Sequence, residues 1–326
     1  MSAVRALLLR FAGNGALMIA IVYVIMIAIY IGSTSASVSV SQFNNMFNAA
    51  TPLALAAAGQ TLIILIGGFD LSVAGVIALA NVVLAVNPIE GPWGALASLL
   101  MVMGIGLAVG IVNGILVAYM RIQAIAATLG TMIVCQGIAL LILDAPGGWV
   151  ADWIVYELTD VVFGTIPVAA LILLAVAGAW IALKNTRFGT SLYAVGEDES
   201  AAALSGINTR LVKFKAFCIA GMCYGMAGYM LSAQTSTGDP TAGEPLLLLT
   251  FAAVAIGGTA FGGGRGGVIG SIIGALVLTL MQRMLFALGV SSFYTGLVQA
   301  LVMVVAVVFS AAMLKLSKTR SRMGIT

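Results

Sequence analysis

The chain has 326 residues, of which 62% are hydrophobic and only 8% are charged. Because soluble domains carry about 25% charged residues, this composition excludes an ordinary soluble domain. The sequence contains no histidine, which excludes a histidine-ligated zinc site and a serine–histidine catalytic pair.

Ten apolar segments are long enough to cross a bilayer as helices. Their connections are short and leave no room for a separate soluble domain. The sequence therefore predicts a single all-α, polytopic transmembrane helix bundle over residues 1–326. The first segment is expected to remain uncleaved because further spans follow it, and the stretch 49–87 could form one broken hairpin instead of two spans. The ten segments are 14–33, 49–67, 71–87, 94–119, 124–143, 163–183, 214–235, 246–262, 267–287 and 293–314.

Charge sorting predicts the orientation of these spans. With the N-terminus in the cytoplasm, ten spans return the C-terminus there, and every basic residue except Arg283 lies on the cytoplasmic side, in agreement with the positive-inside rule. The net charge of +3 is thus a topology signal and does not indicate a nucleic-acid partner. The cytoplasmic basic residues are Arg5, Arg10, Arg121, Lys184, Arg187, Arg210, Lys213, Lys215, Arg265, Lys315, Lys318, Arg320 and Arg322, and the opposite face collects Glu90, Asp144, Asp152, Glu157, Asp160, Asp239 and Glu244.

Six polar residues within the apolar pattern are candidates to line a translocation path. Asp70 is an acidic residue inside this pattern, so its charge is a functional candidate. It also follows Gly67–Gly68, where it could cap the next helix with help from Ser72. The other candidates must find partners in the protein interior or in a water-filled path, either as contacts to a solute or as bonds between helices. The six are Gln60, Asp70, Asn81, Asn113, Gln136 and Gln282.

Two further patterns concern packing and the outer surface. Glycines recur at four-residue spacing, which lets helix backbones approach closely, either within the chain or at a dimer seam. The segment 144–162 combines turn residues with Trp149, Trp153 and Tyr156 and predicts a short amphipathic helix at the outer membrane surface, which serves as an interfacial anchor or as a ledge for an extracytoplasmic partner. The glycine rows are Gly106, Gly110 and Gly114; Gly221 and Gly225; and Gly266, Gly270 and Gly274.

The segment 184–215 is the one long polar interruption of the chain. Asp198 can cap a helix that begins at Glu199, an alanine run propagates it, and Gly206 suits a left-handed stop. The sequence therefore predicts a short cytoplasmic helix near 198–205. Since so short a helix is unstable alone in water, it needs a surface to pack against, inside the protein or outside it.

Short motifs occur in order along the chain. In the loop they are Arg187–Phe188–Gly189, Ala194–Val195–Gly196, Glu199–Ser200–Ala201, Ser205–Gly206–Ile207 and the basic run to Lys215, and elsewhere they are Gly67–Gly68–Phe69–Asp70–Leu71–Ser72, Gly257–Gly258–Thr259, Phe261–Gly262–Gly263–Gly264–Arg265–Gly266 and Gly289–Val290–Ser291–Ser292–Phe293. With these motifs the loop resembles the cytoplasmic coupling loop of ABC importer permeases of the ribose type. Three glycines precede Arg265 where the family pattern has two.

The resemblance implies a pore subunit in the inner membrane of a bacterium. In such importers two permeases form the pore, two cytoplasmic ATPases bind ATP and Mg²⁺, and a periplasmic protein delivers a monosaccharide or related small solute. The chain itself is then neither an enzyme nor a cofactor-binding protein, which agrees with its lack of a GxxxxGKS or GxxxxGKT phosphate loop. The implied ATPase contact is Glu199, Ser200, Ala201, Ala202, Ala203, Leu204, Ser205 and Gly206, whose small alanines suit a tight groove.

Two rival classes remain to be weighed. An ion-driven secondary carrier usually has several intramembrane carboxylates, histidines or basic residues, whereas Asp70, even with Arg283, makes a poor relay. A membrane-embedded enzyme would need a second buried aspartate beside Asp70 for acid–base chemistry. The sequence leaves open which solute is carried and whether the two permeases of the pore are identical.

Overall fold

The computed structural model describes residues 15–34 and 39–289, together with residues 291, 294, 296, 297 and 301. Within these residues the chain forms twelve α-helices, one five-residue π-helix and a two-stranded hairpin. The helices are α1 Gly15–Thr34, α2 Val40–Leu65, α3 Ser72–Val86, α4 Gly91–Gly114, the π-helix Ile115–Tyr119, α5 Ala124–Ile142, α6 Asp152–Thr159, α7 Val168–Lys184, α8 Arg187–Glu197, α9 Glu199–Leu204, α10 Thr209–Thr235, α11 Glu244–Ile256 and α12 Val268–Ala287; the strands are β1 Val161–Val162 and β2 Ile166–Pro167.

The apolar helices agree with the predicted all-α bundle. Five are long and apolar enough to cross a membrane, namely α2, α4 with the π-helix, α5, α10 and α12. Helices α7 and α8 make a sixth if the 78° bend between them is a break within one span, and α1, α3 and α11 are shorter apolar helices. Each predicted segment from 14–33 to 267–287 thus overlaps a helix. The segment 293–314 lies almost wholly outside the described residues, so the count of ten spans and the location of the termini remain predictions.

Helix α2 begins at Val40, well before the predicted start of its segment at residue 49. The reason is a capping box in which the Ser39 hydroxyl accepts from the Gln42 amide and the Gln42 side chain accepts from the Ser39 amide. This reciprocal pair satisfies two free amides at a helix start. Pro52 lies inside the helix without ending it.

The core is organised around α2 and α10. Helix α10 packs against α2, α3 and α4, and α2 also contacts α7, α11 and α12. In the 18-residue apolar stretch of each helix, 94% of the residues of α2 are buried, but only 28% in α4 with the π-helix and 22% in α5. The exposed apolar faces of α4 and α5 therefore suit contact with lipid or with a second subunit, and the central helices carry the interior packing.

The glycine rows are used for packing within the chain. A Cβ added at Gly106 would overlap the carbonyl oxygen of Gly221, and one added at Gly221 would overlap that of Gly106. In the third row Gly270 and Gly274 pack in the same way against α11. Backbone contact this close is possible only without side chains, so the alternative of an intrachain seam is the one that the structure supports for these rows.

The predicted amphipathic helix in the outer loop is present as α6. Both oxygens of the Glu90 carboxylate accept backbone amides at its first turn, from Asp152 at 2.9 Å and from Trp153 at 3.3 Å. A carboxylate at a helix N-terminus is favourable because it offsets the helix dipole. The hairpin that follows pairs Val161 with Pro167 and Val162 with Ile166, in antiparallel register.

Candidate functional site

The short helix α9 has the boundaries that its end signals predict. The Asp198 carboxylate accepts the amides of Ser200 at 2.9 Å and Ala201 at 3.0 Å. At the other end Gly206 has φ +84°, a left-handed conformation that suits glycine. The Glu199 carboxylate lies 2.5 Å from the Lys213 ammonium of α10 and ties the start of α9 to the main bundle. The short capped helix predicted near 198–205 is therefore confirmed as a structural element, and its cytoplasmic location stays a prediction.

The orientation of α9 divides the eight predicted contact residues into two groups. Ala202 is only 4% exposed and belongs to the core, so its small size is required by the packing of this chain itself. Leu204 is 92% exposed and points away from the bundle. The remaining residues share the exposed side, and they are Glu199, Ser200, Ala201, Ala203, Ser205 and Gly206. A partner can thus reach seven of the eight, and a large side chain at position 202 would disturb the fold before it disturbed a partner.

Behind α9, the end of α8 is seated against two breaks in the transmembrane helices. A Cβ added at Gly196 would overlap the carbonyl oxygen of Leu65, the last residue of α2, and would crowd the amide of Gly264. That amide donates to the same Leu65 oxygen at 3.0 Å. Gly263, with φ +84°, packs on the Gly196 backbone. We call these four residues, Leu65, Gly196, Gly263 and Gly264, the glycine joint.

Two polar contacts flank the glycine joint. The Tyr193 hydroxyl donates to the Gly266 carbonyl oxygen at 2.8 Å. The Arg265 guanidinium lies 3.6 Å from the Glu197 carboxylate, an exposed ion pair that contributes little stability. The glycine joint therefore links three segments that are far apart in sequence. Because α8 contacts the end of α2 through backbone atoms, a shift of α8 would displace the end of α2.

Asp70 lies immediately beyond that end, at the start of α3. Its carboxylate accepts the Ser72 amide at 2.8 Å and the Ser72 hydroxyl at 2.5 Å, and its side chain is buried. The same hydroxyl accepts from the Asn113 amide at 2.9 Å, and Asn113 in turn accepts from the Thr131 hydroxyl at 2.8 Å. Asp70 thus starts a buried hydrogen-bond chain that joins α3 to α4 and α5, as the capping alternative requires.

Gln60 approaches Asp70 from the middle of α2. With its amide oriented to satisfy both neighbours, its nitrogen donates to the Asp70 carbonyl oxygen at 3.0 Å and to the Tyr224 hydroxyl at 2.9 Å, and its oxygen accepts from the Asp70 amide at 3.2 Å. Gln60 is fully buried. The backbone at the helix break is therefore held by side chains from α2 and α10.

The other candidates for the translocation path differ in how many hydrogen bonds they make within the protein. Asn81 is buried and contacts Ser232 at 2.9 Å, while its oxygen accepts the Asp239 amide at 2.7 Å. Gln136 is partly exposed and makes one long contact of 3.5 Å to Glu244. Gln282 is also partly exposed. Contact of any of the six with a solute remains a prediction, and Gln136 and Gln282 have the most freedom to make it.

Replacement of Asp70 separates its capping role from its charge. We expect Asp70→Asn to keep most of the thermal stability and transport, because the amide oxygen still accepts from Ser72. Asp70→Leu should lower the stability by about 1–3 kcal/mol for each buried group left unpaired. The check is the melting temperature of the detergent-purified protein together with uptake. An Asn variant of normal stability but without transport would show that the charge itself is needed.

Sequence reasoning missed the partners of several of these residues. Gly196 stood out only as part of a short motif, and Arg265 only as part of a motif and of the charge sorting. Nothing local in the sequence pairs them with Leu65 or Glu197. The glycine run before Arg265 was the available signal. Gly263 and Gly264 have φ +84° and +69°, conformations that disfavour other residues.

Comparison with known proteins identifies the family. A family model described as the permease component of a branched-chain amino acid transport system matches residues 42–307. No solved structure matches the chain at a significant level.

Individual relatives of the chain identify one branch of this permease family. The ribose import permease protein of Haemophilus influenzae is 37% identical over 276 residues, which cover 82% of this chain and 84% of the relative. The ribose import permease protein of Escherichia coli K12 is 34% identical over 275 residues, or 81% and 84% of the two chains. The autoinducer 2 import system permease protein of Yersinia pseudotuberculosis serotype O:3 is 32% identical over 276 residues, or 83% and 77%. The chain therefore belongs to the ABC importer permeases of the ribose type, which are multi-pass proteins of the inner membrane.

Proposed function

We propose that this chain forms half of the pore of an ATP-driven importer and couples to a separate ATPase through the exposed face of α9. The observation that carries the proposal is the combination of an outward face on α9 with a rigid seat behind it. Leu204 is available to a partner, while Ala202 and the Glu199–Lys213 pair hold the helix on the bundle. A helix held in this way can transmit a movement of its partner to the membrane domain.

The glycine joint is the route by which this movement reaches the transmembrane helices. Helix α8 contacts α9 on one side and the end of α2 on the other. Backbone-to-backbone contact at Gly196 leaves no flexible side chain to absorb a displacement. Movement of the loop is thereby passed to the helix break between Leu65 and Ser72, where Gln60 and Asp70 hold the backbone.

The proposed solute is a monosaccharide or a related small polar molecule. The relatives named above import ribose and autoinducer 2. A periplasmic binding protein and a second permease complete the assembly, and ATP and Mg²⁺ are bound by the ATPase. The exposed apolar faces of α4 and α5 are available to lipid and to the second permease.

An ion-driven carrier is the competing class, and the described residues include few buried ionisable groups that could serve it. Among the described residues, Asp70 is the one buried acidic or basic side chain. Its carboxylate is occupied by Ser72 at a helix start. A relay needs further ionisable groups within reach, so the buried charge suits a structural cap better than a proton path.

Uptake measurements test the two classes directly. The test uses proteoliposomes that contain the permease, its ATPase and a ribose-loaded binding protein. We expect radiolabelled ribose to accumulate only when ATP is present on the side of the membrane where the ATPase is bound. A protonophore should leave the rate unchanged. The matched control is an ATPase whose phosphate-loop lysine is replaced by alanine. Uptake that persists with this ATPase and collapses with the protonophore would contradict the proposal.

A further inference from the structure

A cleft of about 480 Å³ opens beside α9, next to the end of α2. It lies between the end of α2, the end of the π-helix, and the first turns of α5 and α10. Volumes of about 300–1,000 Å³ are typical of small-molecule sites. Its lining includes Ile66, Gly67 and Gly68 of the helix break after α2, but none of the six residues predicted for the translocation path.

Basic groups dominate the charge in this cleft. Its lining includes Arg121, Arg210 and Lys213 against a single acid, Glu199. Lys213 pairs with Glu199 at 2.5 Å. Within the part of the chain that the structure describes, neither the Arg121 nor the Arg210 guanidinium has an ion-pair or hydrogen-bond partner. Two uncompensated guanidinium groups thus share one cleft, where an anion would relieve their repulsion.

Backbone features add to the positive potential. Helix α5 begins in the cleft at Ala124, and its Gln123 cap makes no side-chain bond to the first amides. The positive end of the α5 dipole therefore faces the cleft without a capping group. Arg121 has φ +58°, an unusual conformation for a residue with a Cβ. Such local strain is typical of functional sites.

Apolar side chains form part of the lining as well. They include Val117, Ile122 and the buried Phe217. Next to Arg121, Tyr119 and Met120 are exposed, as suits a boundary with the membrane interface. A ligand with a charged head and a less polar body fits this arrangement, and guanidinium groups match phosphate oxygens through paired hydrogen bonds.

We propose that the cleft binds a phosphate-bearing anion through Arg121 and Arg210 and that this anion competes with Glu199 for Lys213. The phosphate can come from an anionic lipid headgroup or from a soluble phosphate or phosphate ester. Because Glu199 is the first residue of α9, its release would loosen the hold of α10 on that helix. Occupancy of the cleft would then tune the link to the ATPase, a consequence that rests on the proposed function.

The test uses the full-length permease alone, so that its outcome does not depend on transport. The protein is placed in nanodiscs of phosphatidylcholine with and without phosphatidylglycerol, and the tightly retained lipids are counted by native mass spectrometry. A second arm titrates inorganic phosphate into the phosphatidylcholine sample and follows the melting temperature. The variant is Arg121→Gln with Arg210→Gln, and the matched control is Lys184→Gln with Arg187→Gln, which removes two exposed positive charges outside the cleft.

We expect the double variant to melt like the parent protein without ligand and to bind at least about tenfold more weakly, because the loss of a single charge-assisted bond already costs roughly a factor of ten. Retention of phosphatidylglycerol by the parent and control alone would assign a lipid source. Stabilisation of only these two by inorganic phosphate would assign a soluble source. Equal binding by all three proteins, or no binding by any, would overturn the proposal. Either result would leave the ATPase contact at α9 untouched.

Discussion

Gly196→Ala is expected to reduce solute uptake strongly while the permease still inserts into the membrane. The added Cβ has no room, because it would overlap the Leu65 carbonyl oxygen and crowd the Gly264 amide, both of them backbone atoms that cannot rotate away. Overpacking of this kind costs about 1–3 kcal/mol. The strain would lift α8 off the end of α2, so we expect uptake in proteoliposomes to fall by about tenfold or more, since 1.4 kcal/mol is about a factor of ten.

Gly262→Ala provides the matched control. This glycine directly precedes Gly263 and Gly264 of the glycine joint, but a Cβ built there meets nothing within 4 Å, and its φ is not in the positive range. We expect Gly262→Ala to transport normally. Both variants should retain the ATPase during purification, because the exposed face of α9 is unchanged. Normal uptake by Gly196→Ala would show that the glycine joint does not transmit movement.

Leu204→Asp is expected to weaken ATPase binding and to stop uptake without loss of stability. Since Leu204 is 92% exposed, its replacement removes almost no contact within the permease. A leucine buried at an interface contributes about 1.5–3 kcal/mol, and an aspartate left there without a partner adds a desolvation cost. We expect at least a tenfold loss of ATPase affinity, measured by co-purification at a series of ATPase concentrations.

The control for Leu204→Asp is Asn185→Asp, which adds the same charge to an exposed position of the same polar segment, 184–215. It should bind the ATPase as the parent protein does. The two variants should also have the same melting temperature as the parent. If both aspartates weakened binding equally, general repulsion by negative charge would explain the result, and α9 would lose its special role.

Local signals in the sequence predict α9 well and its surroundings poorly. Asp198 and Gly206 set the ends of the helix through neighbours within a few residues, so its boundaries could be predicted. The direction in which Ala202 points depends on packing with distant helices, and three alanines in a row carry no amphipathic pattern to reveal it. The sequence therefore indicated eight contact residues where the fold leaves seven exposed.

In the interior of the bundle, too, local features could be predicted from the sequence and contacts between distant helices could not. Gly67–Gly68 and Asp70 predict a helix break with a capping acid, and the Ser72 bonds agree with that alternative. The contact of Gln60 with the Asp70 backbone could not be predicted, because it depends on how α2 lies beside the break. The early start of α2 was available from Ser39 and Gln42, whose three-residue spacing is typical of a capping box.

The most direct test of the central claim is site-specific photo-crosslinking of the assembled importer. A photoreactive amino acid replaces Leu204 on α9 or, as a control, Tyr156 of α6, which is also exposed but belongs to the outer loop. If α9 is the coupling contact, irradiation should join position 204 to the ATPase subunit and should leave position 156 without that product. An ATPase adduct absent at 204, or equally strong at 156, would contradict the account.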